Sequence, residues 1–534
     1  MIIPEVFDMD TKLNATCLIH IVIFTAVAFA LTCGSSSIPP RDTTPINQRP
    51  QIDPDYIGVT IPPNIAPLNF LIEEEGMHYF VKIAGSAGKE IVITSHDGSV
   101  NIPAKKWTSL LKKNHGQDFD IKIYIKKENG TWLEYQSIIN TIAAEKIDPY
   151  LAYRIIDPGF KYWNEMGIYQ RHLETFDEEP VVTNRLSDGN CMNCHHFANN
   201  NPKNMIFHMR GGKGSGTYIS QDGTFTKVSL KTDFNRGGAY PSWHPSGKML
   251  AFSVNDLTMF YHSTGECRDV LDRNSDVFIY HVDKNMVSAS PKIADEKLME
   301  SWPSWSPDGK HLYFCRANEL REYISKDNGE QLEFDEIKYD LMRVQYDYES
   351  DSWGQLETMV NVSDLKKSVI IPRVSPDGKY VLFCVSDYGS FPIYHKNSEL
   401  YFLDTKTGEY WPLSINSHQT DSFHSWSSNA RWFVFSSKRR DGLFARPYFS
   451  YVDENGQTHK PFILPQKDPA FYKTYLKTYN VPEMIKGPVK TRAQEIIRVA
   501  YDNEDIRNAQ LDPKVKPRKQ NTGGESLYES KPQS

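Results

Sequence analysis

Cysteine is scarce, with seven in 534 residues, too few and too scattered for a disulfide framework. Cationic runs are absent as well. The chain carries a net charge of −7, and its aromatics fall at strand-like spacing without interleaved lysine and arginine. Both features argue against a nucleic-acid partner. Long apolar stretches are lacking except for Cys17–Thr32, which follows Lys12 and is short for a membrane span. Nucleotide-loop spacing is missing too. Gly211–Gly216 is glycine-rich, yet it fits neither phosphate-binding fingerprint and reads as a hairpin connection. The Asp and Glu residues offer no spacing that singles out an acid–base pair, so no catalytic residue is assigned.

What the chain does contain is Cys191-Met192-Asn193-Cys194-His195, a single C-x-x-C-H. At this spacing two thiols add across the vinyl groups of haem while the adjacent imidazole binds the iron. A redox C-x-x-C needs no histidine. A zinc ion takes four ligands, and no second Cys/His pair of comparable spacing stands elsewhere. The motif therefore reads as one covalent haem c on Cys191 and Cys194, with His195 as proximal ligand; zinc and a disulfide are the alternatives. For the sixth ligand, His208 and then Met209 follow the next apolar strand and can fold back over the hairpin. His172 and Met205 are further candidates. A bis-His iron sits at a lower potential than a His/Met iron, so the choice bears on function. Successive side chains of an extended chain alternate, which turns His196 away from the iron.

The N-terminus bears on location. Residues 1–33 read as a signal peptide, ending at Ala30-Leu31-Thr32-Cys33. This resembles a relaxed lipobox whose cysteine, Cys33, becomes the lipidated first residue, although Thr32 stands where Gly or Ala is usual. Acidic residues before Met9 suit a signal poorly, which points to Met9 as the start. An uncleaved signal anchor is the alternative. Either way the chain is exported, and c-type haem is attached only after export. No acidic residues directly follow Cys33, and the expected location is the periplasmic face of the outer membrane.

Residues 34–55 read as a tether, rich in Ser, Pro and Asp. Residues 56–145 alternate in short segments with turn signals such as His96-Asp97-Gly98 and one helix at Lys105–Lys113, which predicts a β-sandwich. Residues 146–200 read as an aromatic strap, with Tyr150, Tyr153, Phe160, Tyr162, Trp163 and Tyr169, leading into the haem-attachment segment. From 201 to 480 the chain repeats. Pro303-Ser304-Trp305-Ser306-Pro307-Asp308-Gly309-Lys310 precedes the apolar His311–Phe314; Pro241–Lys248 and Pro372–Lys379 are copies, and His424–Ala430 is a decayed one. Pro presets the turn, Asp bonds its own backbone and Gly supplies positive φ between two strands. His195–Phe207 fits the same pattern with one inserted residue, Phe197 taking the Trp position. Cys315 and Cys384 occupy one place in the repeat and read as buried apolar residues. Residues 481–534 read as a helix, Thr491–Asn503, and a disordered polar tail. Asp468–Thr478 also reads as helical, and Lys438-Arg439-Arg440 as a solvated basic cluster.

These repeats resemble those of TolB-type β-propellers. The resemblance implies a mainly β chain, its sandwich followed by a propeller of six blades, five of them visible as repeats. It also implies that the strand before each turn is innermost, which brings the Cys pair to one mouth of the central channel. The whole resembles a group of Bacteroidetes exported proteins that join TolB-type repeats to one C-x-x-C-H. A lipid-anchored c-type cytochrome follows as the leading expectation, its propeller docking a protein partner in the cell envelope for electron transfer. A haem-dependent periplasmic oxidoreductase and a non-redox envelope scaffold are the rivals.

Overall fold

The computed structural model describes residues 40–518, apart from 160–164, 262–267, 320–323, 326–330, 364–365, 390 and 503. The signal segment with Cys33, the far C-terminal tail and Cys267 lie outside the described residues. The chain is mainly β, at 46% strand and 8% helix.

Six sheets form a ring, each built outward from an inner strand. Blade 1 runs Cys191–Phe197, Met205–Arg210, Gly216–Gln221 and Thr224–Ser229; blade 2 runs Ala239–Trp243, Met249–Tyr261, Arg268–His281 and Met286–Ser288. Blade 3 comprises Leu298–Trp305, His311–Asn318, Asp340–Asp347 and Ser352–Val360; blade 4 comprises Ser368–Val374, Tyr380–Ser386, Glu399–Asp404 and Tyr410–Pro412. Blade 5 is Asp421–Trp426, Trp432–Ser437, Arg446–Tyr451 and Phe462–Ile463. Blade 6 closes the ring from both ends of the chain: Thr478–Ile485 is its inner strand, and Tyr150–Ile156, Gly167–His172 and Glu178–Thr183 complete it. The inner strands adjoin one another in sequence, and that of blade 6 touches that of blade 1. This is a six-bladed β-propeller.

The turn motif works as its chemistry predicts. In blade 3 the Ser306 hydroxyl donates to Asp308 (2.6 Å), Asp308 accepts the Lys310 N–H (3.0 Å), and Gly309 sits at φ 71°. Ser375, Asp377 and Gly378 repeat this in blade 4. The Trp before each turn fills the gap between blades: Trp243 packs in the blade 1–2 core, Trp305 in the blade 2–3 core and Trp426 in the blade 4–5 core. Cys315 and Cys384 are buried free thiols within blades 3 and 4.

A second device recurs in every inner strand. Each carries a bulge where one non-glycine residue adopts positive φ: Cys194 (55°), Tyr240 (48°), Trp302 (55°), Ile371 (55°), Phe423 (44°) and Val481 (47°). The pairing register slips at the same six places. A left-handed non-glycine residue costs about 1–2 kcal/mol and persists only where its surroundings dictate it. The next residue is Pro241, Pro303, Pro372 or Pro482 in four blades and His195 or His424 in the others. Proline suits an inner edge strand at a bulge, where an N–H has no ladder partner.

The N-terminal residues form a seven-stranded sheet, with Asp118–Lys126 central to it, and a three-stranded sheet of Ile52–Asp53, Phe70–Ile72 and Ser99–Val100. Helix Ala104–Lys113 buries Trp107, Leu110 and Leu111 against them. This unit shares one core with Trp432, Phe449 and Phe462 of blade 5.

Three sequence expectations need correction. The segment 146–200 is no strap: 150–183 supplies three strands of blade 6, whose inner strand lies 300 residues away, so no local repeat marks it. Lys438-Arg439-Arg440 is not solvated. Arg440 forms a paired contact with Asp53 (2.5 and 2.6 Å), Arg439 bonds Asp421 (3.1 Å) beneath the rings of Phe435 and Tyr448, and Lys438 is buried. Asp468–Thr478 is helical only at Phe471–Thr474. The helix near the C-terminus spans Ala493–Tyr501, after which Ile506–Asn508 and Gln510–Leu511 add parallel edge strands to blades 1 and 2.

In blade 5 the turn glycine is replaced by Ala430 at φ 58°. Ala430→Gly relieves that strain, and urea denaturation should show the protein stabilised by about 1 kcal/mol. Gly309→Ala should destabilise, since a Cβ there falls 2.3 Å from His244 Nε2.

Candidate functional site

The bulge decides what the C-x-x-C-H motif can do. In a regular strand, residues three apart face opposite sides. In blade 1 the positive φ of Cys194 and the register slip between Asn193 and His196 cancel that alternation. Cys191, Cys194 and His195 consequently line one cavity in the channel. Neither cysteine is in a disulfide. The Asn193 side chain accepts the Cys194 N–H (2.8 Å), which fixes the turn of the chain.

His195 is 1% exposed, and neither ring nitrogen has a partner at good hydrogen-bond geometry, the Val481 backbone acting on it only weakly. Burial lowers its pKa to about 4, the Glu483 carboxylate opposing the shift. The imidazole is thus neutral at pH 7, the form in which a nitrogen can bind a metal. An orphaned buried imidazole is costly unless something occupies it.

The walls are aromatic and cationic. Tyr240 and Trp302, the bulge residues of blades 2 and 3, stack at 3.7 Å, and Phe423 of blade 5 meets Trp302 at 6.0 Å. Leu257 and Val270, from the long hairpin of blade 2, line the cavity with Phe391, Ile393 and Tyr394. The charged side chains among the described lining residues are Arg154 and Arg373; none is acidic. The Arg154 guanidinium reaches the Met192 carbonyl (3.4 Å). Arg373, Phe423 and Val481 also border a second cavity towards the turns. There the His196 Nδ1 lies 2.5 Å from Glu483, which also accepts the Phe197 N–H (3.1 Å). Burial would raise the Glu483 pKa, but the charge and hydrogen bond of His196 hold it below the usual range.

Two thiols on one cavity, an adjacent orphaned imidazole, an aromatic enclosure and two arginines without a lining carboxylate fit an anionic porphyrin. Zinc fits less well: among the described residues no group of three or more His, Cys, Asp or Glu could hold a metal ion.

The proposed sixth ligands are not brought to this cavity. His208 pairs with Asn193 across the hairpin and turns to blade 2, its Nδ1 2.9 Å from the Thr217 hydroxyl and its ring 5.9 Å from Phe252. Met209 turns the other way, into the core between blades 1 and 6, where Met205 also lies. His172 packs edge-on to Tyr150 in blade 6. The physical reason is local: Met205–Arg210 lies beside the inner strand of its blade, and its side chains project onto the two sheet faces, against blade 2 and blade 6. His196 does point away from His195, towards Glu483. Arg154, Arg373, Tyr240 and Trp302 escaped the sequence reading. Aligning the inner strands on the bulge would have found Tyr240 and Trp302, since Tyr240-Pro241 and Trp302-Pro303 take the places of Cys194-His195.

No known protein family and no curated protein matches the chain. Among solved structures, TolB from Acinetobacter baumannii is similar at 14% identity over 72% of this chain and 85% of that one, with a TM-score of 0.37. Kuenenia stuttgartiensis hydrazine synthase is similar at 12% identity over 50% and 64%, with a TM-score of 0.30. Oligogalacturonate lyase from Vibrio parahaemolyticus is similar at 10% identity over 57% and 92%, with a TM-score of 0.30. Likeness at these scores carries no argument about activity, and the propeller rests on its own strand order. Among the described residues no helix is long and apolar enough to cross a membrane.

His424, which holds the His195 position in blade 5, donates through Nε2 to the Leu382 carbonyl (2.8 Å), and burial lowers its pKa to about 3. Its folded pKa lies below the ordinary 6.5, so its stabilising contribution is complete above pH 6.5 and falls as the pH drops towards 3. Between pH 7 and 5, His424→Gln should lose about 2 kcal/mol less stability than the wild type in urea denaturation.

Proposed function

We propose that this protein is an exported, lipid-anchored c-type haem protein of the cell envelope, which passes electrons to or from a docked protein partner. The observation that carries the reading is the bulge at Cys194, which turns both thiols and the orphaned His195 into one cavity. Bound haem supplies one-electron chemistry at its iron. The chain's own part is to hold and enclose it. Cys191 and Cys194 would hold it through two thioether bonds, and His195 would supply a nitrogen ligand to its iron. Arg154 and Arg373 would supply positive charge to balance its carboxylates. Tyr240, Trp302 and Phe423 exclude water from one side, which favours electron transfer over side reactions. Export and anchoring rest on the lipobox-like Cys33.

A haem-dependent oxidoreductase is the second reading. It is favoured by the lining itself, in which His195 is the one imidazole and no methionine appears among the described residues. Such a lining would supply one ligand to the iron from the chain itself, and an external molecule could take part in its chemistry.

Secretion from a host that matures c-type haem tests both. The leading reading expects a haem-stained band after denaturing electrophoresis, abolished by Cys191→Ser or Cys194→Ser. An unstained wild-type band eliminates both readings and leaves a non-redox scaffold. Carbon monoxide binding to the reduced protein would favour the oxidoreductase; its absence would favour electron transfer.

A further inference from the structure

At the same mouth of the propeller as Cys191, but further out, a separate cleft opens between the outer strands of blade 1 and the connection that leads to blade 2. It is lined by His208, Arg210, Lys227, Lys231 and Arg236 and by part of the glycine-rich connection that starts at Gly211. Every charged residue of this lining is cationic, and none is acidic. The cleft holds about 970 Å³ of space between atoms, its open mouth included. We propose that this cleft binds a small phosphate-type oxyanion, either free or as the phosphoryl group of a small molecule.

His208 is the observation that points to a ligand. Its side chain is 3% exposed, and its Nε2 is buried without a hydrogen-bond partner. The opposite ring nitrogen, Nδ1, lies 2.9 Å from the Thr217 hydroxyl. When Thr217 donates that bond, the remaining proton sits on Nε2 and lacks an acceptor. A buried donor left unpaired is costly, and an oxyanion in the cleft supplies the missing acceptor.

Two of the surrounding cations are held in place by backbone carbonyls. The Arg210 guanidinium donates to the Gly238 carbonyl (2.8 Å), which fixes its charge at the rim. Lys227 lies over Gly216, where a Cβ would come within 3.2 Å of Lys227 Cε, and its ammonium donates to the Ala500 carbonyl (2.8 Å). Asp502 is the carboxylate acting on Lys227. Lys231 and Arg236 are exposed and give the cleft its outer cationic edge. Gly211, at φ 103°, lets the connection turn sharply beside the cleft.

Calorimetric titration of the full-length secreted protein with inorganic phosphate, and separately with glycerol 3-phosphate, tests this site. Binding of either at millimolar concentration or below is expected, and the tighter of the two identifies the source. The Lys231→Ser/Arg236→Ser variant, which alters only exposed side chains, should bind about tenfold more weakly or not at all. His208→Phe keeps the ring volume beside Phe252 and should weaken binding by a similar factor. Failure of the wild type to bind either probe at 10 mM overturns the site (an upper bound of roughly 3 kcal/mol of affinity). Unchanged affinity in the double variant overturns it as well, whether or not the His208 variant folds.

Discussion

Everything in this molecule depends on one strand pairing. Thr478–Ile485 reaches back across the chain to pair with Tyr150–Ile156, and so closes the ring of blades. A propeller blade buries its two faces only against its neighbours, so an open ring exposes two apolar faces at once. The closing strand also provides Glu483 beside His196, and Asn480 and Val481 beside the Cys/His cavity. Ring closure and assembly of the site are therefore one event, with loop-closure entropy met by a single long-range contact.

Legibility in the sequence followed locality. The turns were legible because Ser-Pro-Asp-Gly-Lys carries its whole mechanism within five residues: side-chain capping, fixed φ and positive φ. The strands flanking them followed directly. Blade 6 was illegible because its members lie at opposite ends of the chain and lack the turn motif. Tyr150, Tyr153 and Tyr169 were visible as aromatics, but nothing nearby announced their pairing. The basic cluster at 438–440 misled for a related reason, since Asp53, its main partner, lies nearly 400 positions earlier.

The site shows the same division. Cys191, Cys194 and His195 were named from spacing alone, yet spacing could not say that a bulge turns them to one side. His208 and Met209 were chosen because they are near in sequence. In a hairpin such proximity puts side chains on the sheet faces, not over the inner strand. The partners that do face the motif, Tyr240, Trp302 and Arg373, arrive from other blades through the radial geometry. Repeat alignment carries that information, provided it is made on the inner strand and not only on the turn.

The repeated bulge gives the channel a modular character. Each blade presents the same bulge to the axis as a socket, and six different residue types occupy its left-handed position. Blade 5 already holds His424 where blade 1 holds His195, with Phe423 and Thr420 where blade 1 holds Cys194 and Cys191. Two substitutions separate that socket from a second copy of the motif. A scaffold of this kind can gain, lose or relocate a set of donor side chains by changes confined to one inner strand, while its five other blades keep the fold.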